Sequence, residues 1–107
     1  MTKIEAVRQA VMDLQGNVTE ARAKIRRAWE FRKDCKGLGD WQREMAMGHV
    51  GYNANGAKMA MELIAQVRQE HAGNERAMGM LDIYEEWMHA TVADMAEVKA
   101  MIEAYKV

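Results

Sequence analysis

Residues 48–59 read GHVGYNANGAKM. Three glycines sit between methionine-rich flanks, and the fold turns on what they do. A loop here would cradle a phosphate or cut the chain into shorter helices. A continuous helix would leave a long bundle with a thin place in its middle. As a phosphate loop, GYNANGAK (51–58) fails on spacing. A Walker loop puts lysine directly after the second glycine, then Ser or Thr, with a strand ahead. Here Ala57 intervenes, Met59 follows, and helix-like sequence precedes. A helix break has more in its favour: Asn53 and Asn55 suit turns, and each glycine costs a helix up to ~1 kcal/mol. Against it, Met47, Val50, Ala54, Ala57, Met61 and Ile64 recur at 3-4 spacing and continue in phase to Arg68 and His71. A loop scrambles such a phase, so the stretch is expected to be helix.

The same rhythm runs on both sides. Ile4, Val7, Val11, Leu14, Val18, Ala21, Ile25 and Ala28 form an a/d seam that continues to Arg32 and Cys35. Thr2 and Glu5 have capping-box spacing at its start. Gly37 and Gly39 are expected to end it. A break at Gly16-Asn17, with Asn17 and Glu20 as a second capping box, is the rival. The seam passes it in phase, and Gly16 falls on the outer side. Ala77, Leu81, Tyr84, Met88, Thr91, Met95, Val98, Ile102 and Tyr105 make a third seam. Gly73 and Asn74 mark the turn before it, and Asp40 is the expected N-cap of the middle helix. The sequence predicts an all-α domain over 1–107 with helices at about 3–36, 40–72 and 75–105. Short loops make neighbours antiparallel, giving an up-down-up, coiled-coil-like bundle about 45–50 Å long. In outline this is similar to a spectrin-type repeat, a likeness of architecture that carries no function.

Composition agrees. The 107 residues are 50% apolar and 29% charged, without proline, as suits a soluble, helix-rich domain and not a disordered one. One cysteine, Cys35, allows no internal disulfide, and a reducing compartment is the default. The first residues carry charge where a signal peptide needs an apolar core. No apolar run reaches the ~18 residues of a membrane span. A cytoplasmic protein is expected. Net charge is −1 but unevenly spread: +4 over residues 1–38, −1 over 39–73 and −4 over 74–107.

A second apolar row crosses the opening stretch. Trp41, Met45, Gly48, Tyr52, Asn55 and Met59 repeat at 4-3-4-3-4 on the side away from the predicted seam. A three-helix bundle buries one side of each helix, so such a row asks for another partner. Gly48 would admit a close neighbour, and an asparagine in the row would fix register. The bland alternative is that a packed side chain or loop covers it. Met80 and Trp87, beside the third seam, widen the apolar surface further, with Ile83 outward. Dimerisation of the bundle is expected. The methionines suit either core filling or an adaptable binding surface.

Signals for chemistry are weaker. Glu86-Trp87-Met88-His89 has the Glu-x-x-His step that ferritin-like di-iron proteins use twice, but the register turns Glu86 and His89 outward. A metal there would need an intersubunit site. His49 is expected outside the core and His71 at its polar end. Cys35 has basic neighbours that would favour thiolate, but no histidine stands near it in sequence. No nucleophile–base set emerges, no catalytic residue is assigned, and no cofactor is expected. Arg22, Arg26, Arg27 and Lys33, within the basic run 22–36 and near Trp29 and Phe31, have the ingredients of a nucleic-acid surface. Glu30 and Asp34 interrupt that run, and the acidic third helix is positioned to pair with it. The favoured function is therefore a small interaction or adaptor protein, binding itself or another protein. A ferritin-like oxidoreductase and a nucleic-acid binder are the alternatives.

Overall fold

The computed structural model describes residues 2–32 and 40–104, apart from the side chains of 28, 29, 31, 32 and 40–42. It contains three helices: α1 (Lys3–Arg32), α2 (Asp40–Glu70) and α3 (Glu75–Ala104). There is no strand among the described residues. The expected extensions of α1 to 36 and α3 to 105, and the stop at Gly37 and Gly39, lie outside them. Each helix packs against both others, in a bundle measuring 57 × 21 × 17 Å. None of the three is long and apolar enough to cross a membrane, among the described residues.

The ends form by the predicted local chemistry. The Glu5 amide donates to Thr2 Oγ1 and the Thr2 amide donates to Glu5 Oε2, both at 3.1 Å. Two donors that no helical carbonyl can reach are thus satisfied reciprocally. α2 stops because Gly73 turns the chain with φ +88°, a conformation that clashes with a Cβ. Asn74 Oδ1 then accepts from the Ala77 amide at 3.1 Å and caps α3.

Ion pairs and a short turn fix the directions of the helices. Lys3 near the start of α1 meets Glu70 at the end of α2, so these two are antiparallel. The short turn from Glu70 to Glu75 makes α2 and α3 antiparallel, so α1 and α3 run parallel, and Arg22 of α1 reaches Asp94 and Glu97 of α3 at a matching depth. Arg68 of α2 reaches Asp82 and Glu85 of α3 across the short turn. The arrangement is up-down-up.

The first and third seams are buried as expected. Val7, Val11, Leu14, Val18 and Ile25 line the core from α1, with Ile4 and Ala21 half-buried. From α3 come Ala77, Leu81, Tyr84, Met88, Thr91, Met95, Val98 and Ile102. Thr91 is tolerated there because its hydroxyl donates to the Trp87 carbonyl one turn back, at 2.7 Å. Both helices run unbroken, and the Gly16-Asn17 break does not occur.

The middle seam differs from expectation. α2 is continuous through 48–59, but its core row is Ala46, Val50, Asn53, Ala57, Ala60, Ile64 and Val67. Val50, Ala57 and Ile64 were correctly placed. Met47 and Ala54 are exposed and Met61 is half-buried; Ala46, Asn53 and Ala60 take their places. The helix is rotated by part of a turn about the shared positions. The physical reason lies at its C-terminal end. The rotated row ends on fully buried Val67 and leaves Arg68 at the margin, where its guanidinium pairs with two carboxylates of α3. The predicted row would have placed that guanidinium in the core.

Candidate interaction surface

Rotation of α2 changes where the second apolar row points. Gly48 and Asn55 face straight out, and both are exposed. Met45, Tyr52 and Met59 lie one step toward α1 rather than opposite the core. They remain 51%, 70% and 62% exposed. The side chain of Trp41, which would extend the row, lies outside the described residues.

These side chains border two hollows. One, of about 620 Å³, runs between α1 and α2 and includes Ala10, Asp13 and Asn17 on one wall and Tyr52, Met59 and Leu63 on the other. It exists because Ala10 and Gly56 are small. A Cβ built on Gly56 would stand 3.4 Å from Leu14 Cδ1, an ordinary van der Waals contact with α1. The second hollow, of about 530 Å³, lies over Gly48, with Glu44, Met45, His49 and Tyr52 around it. A Cβ on Gly48 or on Gly51 would meet nothing within 4 Å. Among the described residues, no neighbour requires either of these glycines.

Met80 and Trp87 belong to a different face. Arg22 pairs with residues 72 and 75 positions later in the chain. The same offset sets Met12 of α1 level with 84–87 of α3. Met12, Met80, Ile83 and Trp87 are 43%, 38%, 48% and 38% exposed. They mark an apolar patch on the α1–α3 side, where the Trp87 ring leans on Tyr84 with centroids 5.4 Å apart. The seven described residues named for an interface therefore lie on two faces, five on α2 and two on α3.

The basic run is partly committed. Arg22 is held by Asp94 and Glu97, and Lys24 lies 3.0 Å from Glu20. That ammonium, first by hydrogen bond and then by charge, holds the Glu20 carboxyl below its ordinary pKa. Arg26 and Arg27 are exposed, and Lys33 lies outside the described residues. The pair meant for a metal points to solvent: Glu86 is exposed, and His89 stands 3.9 Å from Glu85 instead. Among the described residues no three His, Cys, Asp or Glu side chains gather as a metal site would require. His71 is half-buried with Nδ1 3.0 Å from the Val67 carbonyl, a polar end to the core. Cys35 lies outside the described residues.

Two features escaped the sequence: the burial of Asn53 and the exposure of Met12 beside α3. Spacing did not mark Asn53, because its row and the predicted one share Val50, Ala57 and Ile64. Nor did it mark Met12, since only the offset between α1 and α3 brings it to the patch. Comparisons with protein-family models, with curated proteins and with solved structures find no match for this chain.

Proposed function

We propose that this chain is a small helical interaction protein, acting by surface binding through the outer face of α2 as a homodimer or an adaptor. One observation carries this reading. Met45, Tyr52 and Met59 are more than half exposed along a single side of an uninterrupted helix. Scattered exposed apolar residues are ordinary, but an aligned group beside a groove is the usual form of a docking surface. Methionine and tyrosine also suit the role, the first by adaptability and the second by pairing a large apolar ring with a polar tip. A cytoplasmic setting fits a chain with one cysteine.

Light scattering tests the self-binding form. The expected mass is twice 12.2 kDa, and Met45→Glu with Met59→Glu is expected to return it to the monomer with helicity kept. A strict monomer from micromolar to millimolar concentration refutes the dimer. Unfolding of the double variant would mean that the row belongs to the core.

A further inference from the structure

We infer that the occupant of the α2 face is a second copy of this chain, packed antiparallel across a two-fold axis, with Tyr52 seated over the partner's Gly48. This rests on the interaction reading above and adds the occupant, its direction and its register.

The bundle is an elongated rod of 57 × 21 × 17 Å, so it offers a partner a whole helix face along its length; a standard interface takes ~800 Å² from each partner.

The residue pattern selects a second copy. Met45, Gly48, Tyr52, Asn55 and Met59 step 3-4-3-4, the alternation by which one helix of a coiled coil meets another. Contact between two identical α2 faces is isologous: if one residue meets a second, the second meets the first. The pattern has one very large exposed member, Tyr52, and one position with no side chain, Gly48, one turn away. Antiparallel pairing with the axis midway between them, level with residue 50, places each tyrosine over the other copy's glycine. The hollow over Gly48 receives the ring, and no described residue fills it. A parallel pair would stack tyrosine on tyrosine and leave the glycine empty.

Charge supports the same direction. Glu44, Gly51 and Lys58 follow one another at intervals of seven along one edge of the face. Antiparallel packing lays this edge against itself in reverse. Glu44 then meets the partner's Lys58, Lys58 meets the partner's Glu44, and the glycines lie near the axis. Among the described residues neither Glu44 nor Lys58 has an ion-pair partner within the chain. Parallel packing would instead lay this edge against the opposite edge of the partner's face, which carries His49, Gly56 and Leu63, and would give Lys58 no carboxylate.

The test uses the full chain and reads the dimer dissociation constant by sedimentation equilibrium, with circular dichroism to confirm folding. Gly48→Leu fills the seat. Because a side chain there meets only open space in the monomer and improves helix propensity, helicity is kept while association weakens at least a hundredfold. Glu44→Lys and Lys58→Glu each weaken association about tenfold, and the two together restore it to within threefold of the original. If the original chain dimerises but Gly48→Leu does not weaken it, or the double reversal is weaker than either single change, the antiparallel seat is wrong while self-association stands. If the original chain is monomeric at millimolar concentration, both the seat and the homodimer fall.

Discussion

Asn53 lies on the inner row of α2 with only 5% of its surface exposed. Its carboxamide forms no hydrogen bond with a described residue and borders a small hollow that also touches Asn17, Glu20 and His49. Among the described residues the only sealed side-chain polar atom without a partner is Arg43 Nε, so the Asn53 amide reaches water through that hollow, and Leu, of nearly its shape, would exchange this hydration for apolar contact. Asn53→Leu is therefore expected to stabilise the fold by up to about 1 kcal/mol, a rise of at most roughly 8 °C in melting temperature for a domain of this size. Thermal unfolding followed by circular dichroism checks this; a fall would mean that the carboxamide is satisfied in solution. The native asparagine then serves register rather than stability, as seam asparagines do in coiled coils. Its burial was hidden in the sequence because two rows, one through Asn53 and one through Ala54, share Val50, Ala57 and Ile64. Alanine on both sides gives apolar spacing little to choose between.

At the scale of elements, the helices are set by local chemistry and the turns by single residues. Gly16 sits on the solvent side of α1 with nothing within 4 Å of a Cβ. Gly16→Ala is expected to raise stability by about 1 kcal/mol through helix propensity alone. Gly73, at φ +88°, behaves oppositely: Gly73→Ala is expected to lower stability by about 1–2 kcal/mol. Urea unfolding of both variants reads the two signs in one experiment. The opening stretch GHVGYNANGAKM belongs to the same scale. Its phase correctly marked it as helix, since a regular 3-4 alternation survives only where every residue adds the same rotation. Its three glycines proved unequal. A Cβ on Gly56 would meet a described neighbour within 4 Å; Gly48 and Gly51 face open space.

For the whole molecule, exposed ion pairs join each helix to the next, and carboxylates set their acid sensitivity. The Lys3 ammonium, by hydrogen bond and then by charge, holds the Glu70 carboxyl below its ordinary pKa of 4.5. Lys24 acts likewise on Glu20. A carboxyl whose pKa is lowered on folding adds stability that is complete above the unfolded value and lost as pH falls through the folded one. The melting temperature is thus expected to be flat with respect to these two groups between pH 6 and 7, and to decline below about pH 4.5. Arg68 shows the opposite direction for a cation: its hydrogen bonds to Asp82, ahead of that to Glu85, raise its pKa. It stays charged throughout that range, so its pairs fail in acid only when the carboxylates protonate. Calorimetry from pH 3 to 7 measures this; a melting temperature unchanged at pH 3 would show that these pairs contribute nothing.

The sequence by itself determined that there are three long helices, where α2 and α3 meet, and which faces of α1 and α3 are buried. Each follows from chemistry acting within a few residues: apolar periodicity, a capping box, an N-cap asparagine and a glycine that accepts a positive φ. Tertiary structure alone decided the rotation of α2, the burial of Asn53 and the division of the exposed apolar residues between two faces. These depend on which side of one helix meets which side of another. Arg68, between Asp82 and Glu85, settles that for α2: a guanidinium with two carboxylates waiting at the bundle margin is far less costly there than in the core. Spacing along one chain carries no record of a choice made between helices.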